Sequence, residues 1–146
     1  MCSNHRLDCS CGQNQANIMF KNHILPPMVV SNLYCPKCSK SVAFDVECMI
    51  VDNDWIMEFN LPLAEDYLKR ARIDINRLSP AFIFDHGYAS WNGFTPNELD
   101  ERLVERQEII ALATHNMQQY LAEMKRWGCE RVQKLREAGW RKAQQC

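Results

Sequence analysis

Cys9-Ser10-Cys11-Gly12 and Cys35-Pro36-Lys37-Cys38 are the two stretches from which the rest of the chain is read. Each sets two cysteines within one tight turn, and 23 residues separate the pairs, so two knuckle turns can meet and present four sulfurs tetrahedrally to one ion. Four soft thiolates select zinc, with iron as the alternative, over hard cations. Gly12 suits the left-handed backbone that a knuckle turn often needs, and Pro36 stiffens the second turn. Lys37 and Lys40 stand beside what would be a doubly negative Zn(Cys)4 centre and offset part of its charge. Cys2, His5 and His23 are near enough in sequence to replace Cys9 or Cys11, because histidine is an ordinary zinc ligand.

A chain of 146 residues suits one domain, or a small metal-clipped module joined to a second element. With 17 Lys and Arg against 18 Asp and Glu, the net charge of -1 argues against polyanion binding by the chain as a whole. No run of about 18 apolar residues is present, and Met1 to Asp8 lacks the apolar core of a signal peptide. The expectation is a soluble, cytoplasmic protein with no membrane segment. In a reducing compartment the eight cysteines are read as thiols or metal ligands before disulfides.

Asn17 to Phe20 and Met28 to Leu33 are each expected to be extended, with Pro26-Pro27 between them, as the two arms of a hairpin. From Val42 to Ile50 the apolar residues Val42, Phe44, Val46, Cys48 and Ile50 alternate with Asp45 and Glu47, the pattern of a half-buried strand. Asp52-Asn53-Asp54 predicts a turn, and Trp55, Met57 and Phe59 at period two predict the returning strand. Asn60 is placed to cap a short helix to about Arg72, with Pro62 in its first turn. Ser79 to Phe94, rich in aromatics, Gly and Pro, reads as an irregular packed connection.

At its knuckles the sequence resembles the zinc-ribbon superfamily, including its rubredoxin-like members: Cys9-Ser10-Cys11-Gly12 matches the first knuckle and Cys35-Pro36-Lys37-Cys38 the second. The resemblance covers residues 9-60. It departs in the first pair, where one intervening residue replaces the commoner two, and at Ser39, where glycine is frequent. It implies a structural ion, since four protein thiolates leave no position open for water or substrate. Iron in the same ligands would instead imply electron transfer.

Thr95-Pro96-Asn97-Glu98 predicts a helix start, with Thr95 as N-cap, Pro96 in the first helical position and Glu98 closing a capping box. Steps of four and three from Leu99 run through Leu103, Arg106, Ile110, Ala113, Met117, Tyr120, Met124 and Trp127, a coiled-coil-like seam with Arg106 as its exception. The seam slips at Gly128, where a kink or break is expected. One helix from Pro96 to Lys142 would span roughly 70 Å, against a radius of gyration of roughly 15 Å for a globule of this length. It must therefore break, protrude or find a partner. Leu103, Ile110, Met117, Tyr120 and Met124 are the residues expected to carry a contact with another protein or a second copy.

Charge is segregated. Ser41 to Leu68 holds seven acids and no Lys or Arg, whereas Lys125 to Cys146 holds seven bases against two acids. Lys125, Arg126, Arg131, Lys134, Arg141 and Lys142 are candidate phosphate contacts, with Trp127 and Trp140 available for stacking. Bases at a helix C-terminus also answer its dipole, or could dock on the acidic segment, and these accounts are preferred. Asp85-His86 is the one hint of general-base chemistry, but no nucleophile motif, phosphate loop or second carboxylate cluster accompanies it, and a structural or solvated loop is the preferred reading. Cys48 reads as core and Cys146 as an exposed terminal thiol.

The expected architecture is α+β. Residues 1-60 form a metal-binding module with a small antiparallel sheet, 61-94 a short helix and aromatic connection, and 95-146 a long amphipathic helix or a helix pair broken near Gly128. The expected function is non-enzymatic, a zinc-binding adaptor working through its helix. The alternatives are a nucleic-acid-associated zinc-ribbon protein and a rubredoxin-like electron carrier or small subunit of an enzyme complex. No small-molecule substrate is indicated.

Overall fold

The computed structural model describes residues 3–91 and 95–141, without the side chains of residues 99 and 100. The chain divides into two compact units, Met1–Gly93 and Phe94–Cys146. The class is α+β, with two small antiparallel sheets, short helices and a long C-terminal helix.

In the first unit β1 (Ser3–Asp8) pairs antiparallel with β2 (Gln15–Phe20), and β6 (Ala89–Trp91) pairs with the other side of β2. The second sheet has β5 (Trp55–Phe59) at its centre, flanked by β3 (Val30–Tyr34) and β4 (Met49–Asp52). The two extended segments read as one hairpin, Asn17 to Phe20 and Met28 to Leu33, thus belong to different sheets. Each pairs elsewhere: β2 takes β1 and β6, and β3 takes β5.

The turn at Asp52-Asn53-Asp54 forms as read. Asp52 faces Trp55 in the register, leaving Asn53 and Asp54 as a two-residue loop with φ of 46° and 70°. Both angles are left-handed, as a primed hairpin turn requires, and Asn and Asp tolerate them best among residues with a Cβ.

The strand expected across Val42 to Ile50 is confined to its last residues, since β4 starts at Met49. Asp45 explains the difference. Its side chain accepts from the Glu47 N–H at 3.0 Å, and its carbonyl accepts from the N–H groups of Cys48 and Met49 at 3.2 and 2.8 Å. A local Asp turn satisfies the donors that a strand would have offered to a neighbour. Phe44 and Val46 consequently face solvent, and Cys48 is half-buried in the turn rather than in the core.

Asn60 caps α1 (Leu61–Arg70) by accepting from the Leu63 N–H, and Ala64 and Leu68 are its buried face. The stretch read as irregular contains α2 (Pro80–Asp85), capped by Ser79, and then β6, which returns to the first sheet. Two of its aromatics are core, Phe84 and Trp91, while Phe82 and Tyr88 are half-buried and Phe94 lies outside the described residues. Trp91 lies edge-on to Trp55 at 6.1 Å and to Phe84 at 5.7 Å. The Trp91 indole N–H donates to the buried carboxylate of Asp52 at 2.7 Å. A buried carboxylate is costly unless hydrogen-bonded, and this bond fixes the end of the β4–β5 hairpin to β6.

The second unit is a helical hairpin, α3 (Leu99–Ala111) and α4 (Met117–Glu137). The capping box at its start is present in part, with the Glu98 carboxylate accepting from the Thr95 N–H at 3.1 Å and from the Thr95 hydroxyl at 3.0 Å. The break falls at Leu112 to Asn116 rather than at Gly128, which lies inside α4. Asn116 sets it: its side chain accepts from the Gln119 N–H at 3.1 Å and starts a new helix. Trp127 bonds Glu105 and Lys134 bonds Glu101, so the two helices run antiparallel.

Candidate metal centre

Cys9 directly follows β1, and both it and Cys11 lie in the six-residue connection that returns to β2. Gly12 takes φ of 72° and donates its N–H to the Cys9 carbonyl at 2.9 Å, which closes the first knuckle. Its left-handed backbone costs a glycine nothing. Cys35 follows β3 directly, and the Ser39 N–H donates to its carbonyl at 2.9 Å to wind the second knuckle. The Ser10 N–H reaches the Leu33 carbonyl at 3.2 Å and ties the two turns together.

One ligand atom from each of Cys9, Cys11, Cys35 and Cys38 lies within 4.8 Å of all the others. Zinc bound to thiolates at about 2.3 Å in a tetrahedron needs sulfurs about 3.8 Å apart, so the cluster would close on an ion by shortening its sulfur–sulfur distances by up to about 1 Å. Cys9 and Cys35 are buried, Cys38 is half-buried and Cys11 is exposed. Backbone amides donate to both sulfurs of the first knuckle, the Cys35 N–H to Cys9 Sγ at 3.2 Å and the Gln13 N–H to Cys11 Sγ at 3.5 Å. Such donors stabilise thiolate over thiol.

The four sulfurs do not share protons equally. Burial opposes ionisation of Cys35, but the N–H groups of Cys38 and Lys37 with the Asn14 and Cys9 side chains outweigh it and bring its thiol down to about 6. The Gln13 N–H, with Cys9 next, lowers Cys11. Cys38 is pushed up to about 12 because it hydrogen-bonds Cys9 foremost, with burial and its bonds to Cys11 and Cys35 adding to the effect. Thiols this close titrate as one set rather than as four independent groups.

His5 stands on β1 with its ring 5.6 Å from Phe20, and the exposed His23 sits in a turn with φ of 56°. Neither joins the cluster among the described residues. Cys2 and Lys142 lie outside the described residues. Asp85 ends α2, and His86 packs against Phe82 with ring centroids 4.4 Å apart, an arrangement of helix end and aromatic stack.

Of the helix residues, Leu103, Ile110 and Met117 are exposed at 50%, 46% and 56%, while Tyr120 and Met124 are half-buried. Among the bases, Arg126 pairs with Glu123 and Glu130, Arg131 with Glu98 at 3.1 Å and Lys134 with Glu101 at 3.3 Å. The Arg126 pairs lie within α4 at i,i+3 and i,i+4 spacing, whereas those of Arg131 and Lys134 reach residues 33 positions earlier and had no local sequence signal. No helix among the described residues is long and apolar enough to cross a membrane.

No family model, curated protein or solved structure matches this chain. The cysteine cluster is consistent with a zinc-ribbon-like knuckle pair, and that statement stands on geometry alone.

Proposed function

We propose that the chain is a zinc-binding protein whose ion is structural and whose helical hairpin makes contact with another protein or a second copy. The observation that carries the metal reading is the convergence of four thiol sulfurs within 4.8 Å from two turns in different sheets. A closed set of four thiolates suits a structural ion, zinc being our first choice, and the same set would also suit rubredoxin-type iron, so metal content decides between them. The adaptor reading is supported by Leu103, Ile110 and Met117, which stay exposed while the surface between α3 and α4 is occupied largely by charged pairs.

Metal content and absorbance of protein purified without added metal test the first half. One zinc per chain, lost in each single Cys-to-Ser variant at Cys9, Cys11, Cys35 and Cys38, is the expected result. Iron with visible charge-transfer bands would move the function to electron transfer. Ile110→Glu tests the second half: the chain stays folded by circular dichroism while any self-association or partner capture weakens. Unfolding of that variant would mean the stripe is core.

A further inference from the structure

The exposed large apolar side chains of the first unit are Met28, in the turn Pro27–Val29, and three that follow the second knuckle in sequence. Phe44 and Val46 are 49% and 72% exposed, and Val51 is exposed on the neighbouring edge strand β4. They are displayed from an ordered backbone. Ser39–Ser41 forms a helical turn, and Asp45 holds the next residues through its side chain and carbonyl. The Asp45 N–H also contacts Met49 Sδ at 3.4 Å. An exposed phenylalanine and valine held in a fixed turn carry a hydration cost that a partner removes.

From Ser41 onward the charge on this stretch is of one sign, with Lys40 standing just before it. Asp45, Glu47 and Glu58 all act on the Cys48 thiol, which burial first and then these acids push up. Glu58 accepts from the Asn32 amide at 3.0 Å and the Tyr34 hydroxyl at 3.5 Å, so it is held on this face of the sheet. From Ser41 to Leu68 no Lys or Arg balances the seven acids. Such a rim repels phosphate backbones and anionic lipid and attracts cations.

We propose that the 42–48 turn and the adjoining strand β4 form a docking surface for a polypeptide segment in which aliphatic side chains are flanked by lysine or arginine. The aliphatic groups cover Phe44, Val46 and Val51, and the bases meet Glu47 and Glu58. The surface is distinct from the helical hairpin and gives the protein a second contact of different chemistry.

The test uses the whole 146-residue chain and a fluorescein-labelled heptapeptide, Gly-Lys-Leu-Lys-Val-Lys-Gly, with a matched peptide carrying Glu in place of Lys. Fluorescence anisotropy should show saturable binding of the basic peptide and none of the acidic one. The double variant Phe44→Ser with Val46→Ser should weaken binding about tenfold, and Glu47→Gln with Glu58→Gln should weaken it severalfold and flatten its salt dependence. Unchanged near-ultraviolet circular dichroism confirms that the variants remain folded; if the serine pair unfolds, Val46→Ser alone serves. Absence of saturable binding, or binding indifferent to the serine substitutions, overturns the proposal. So does concentration-dependent self-association that the serine variant abolishes, which would give the face to a second copy.

Discussion

The two units of this chain are held together by opposite means. Residues 3–91 bury an aromatic and aliphatic core, Phe20, Trp55, Met57, Phe84 and Trp91 among it, and add a thiol cluster at one end. The helical hairpin bonds through Glu98–Arg131, Glu101–Lys134 and Glu105–Trp127 and leaves apolar side chains outside. Burial stabilises without geometric precision, whereas each charged contact gains little beyond the water it displaces. The first unit therefore rests mainly on burial, and the second on polar pairing beside a smaller buried set that includes Leu135 and Trp140.

Cys35→Ser should break that contrast most severely. It removes a ligand of the proposed ion, and binding of structural zinc supplies on the order of 10 kcal/mol in small domains. Metal analysis should read no stoichiometric zinc, and the near-ultraviolet signal of Trp55 and Trp91 should collapse. Helical ellipticity from α3 and α4 should largely survive.

A smaller effect comes from Trp91→Phe, which keeps the ring in the core but leaves Asp52 short of one donor. Urea denaturation should show a loss of about 2 kcal/mol. Asn116→Ala removes the cap that begins α4, and thermal melts followed at 222 nm should register a loss of about 1 kcal/mol. At the bottom of the scale, Glu65→Ala breaks the exposed pair with Lys69 on α1. Its cost should stay under about 0.5 kcal/mol and vanish at high salt. A large effect there would mean that the first unit depends on surface charge as the second does.

What could be read from the sequence was local and chemically forced. Two cysteine pairs with turn residues could converge in few ways, and they do converge. Asn53-Asp54, Asn60 before Pro62 and Thr95 before Glu98 each announce a backbone event within four residues, and each occurs. Ser79-Pro80 carries the same cap signature and would have revealed α2, had the aromatic composition around it not suggested a loop. Asn116 with Gln119 likewise marks the true break in the long helix, and Gly128 does not because helical propensity outlasts one glycine. The alternation from Val42 to Ile50 misled for a physical reason. Periodicity measures which faces could be buried, while Asp45 decides where the chain turns. The polar strand β1 and the long-range return of β6 to β2 had no signal in local pattern at all.

The return of β6 has a kinetic side. Ile18 and Trp91 must find one another across most of the first unit, and such distant pairings are slow because chain entropy is lost before any contact rewards it. Cys9 and Cys35 are only 26 residues apart. An ion captured there early would close that short loop, align both sheets at one end and shorten the effective search for the last strand. Refolding rate as well as final stability would then follow metal supply, and a chelated chain would linger unfinished with its hydrophobic strands exposed.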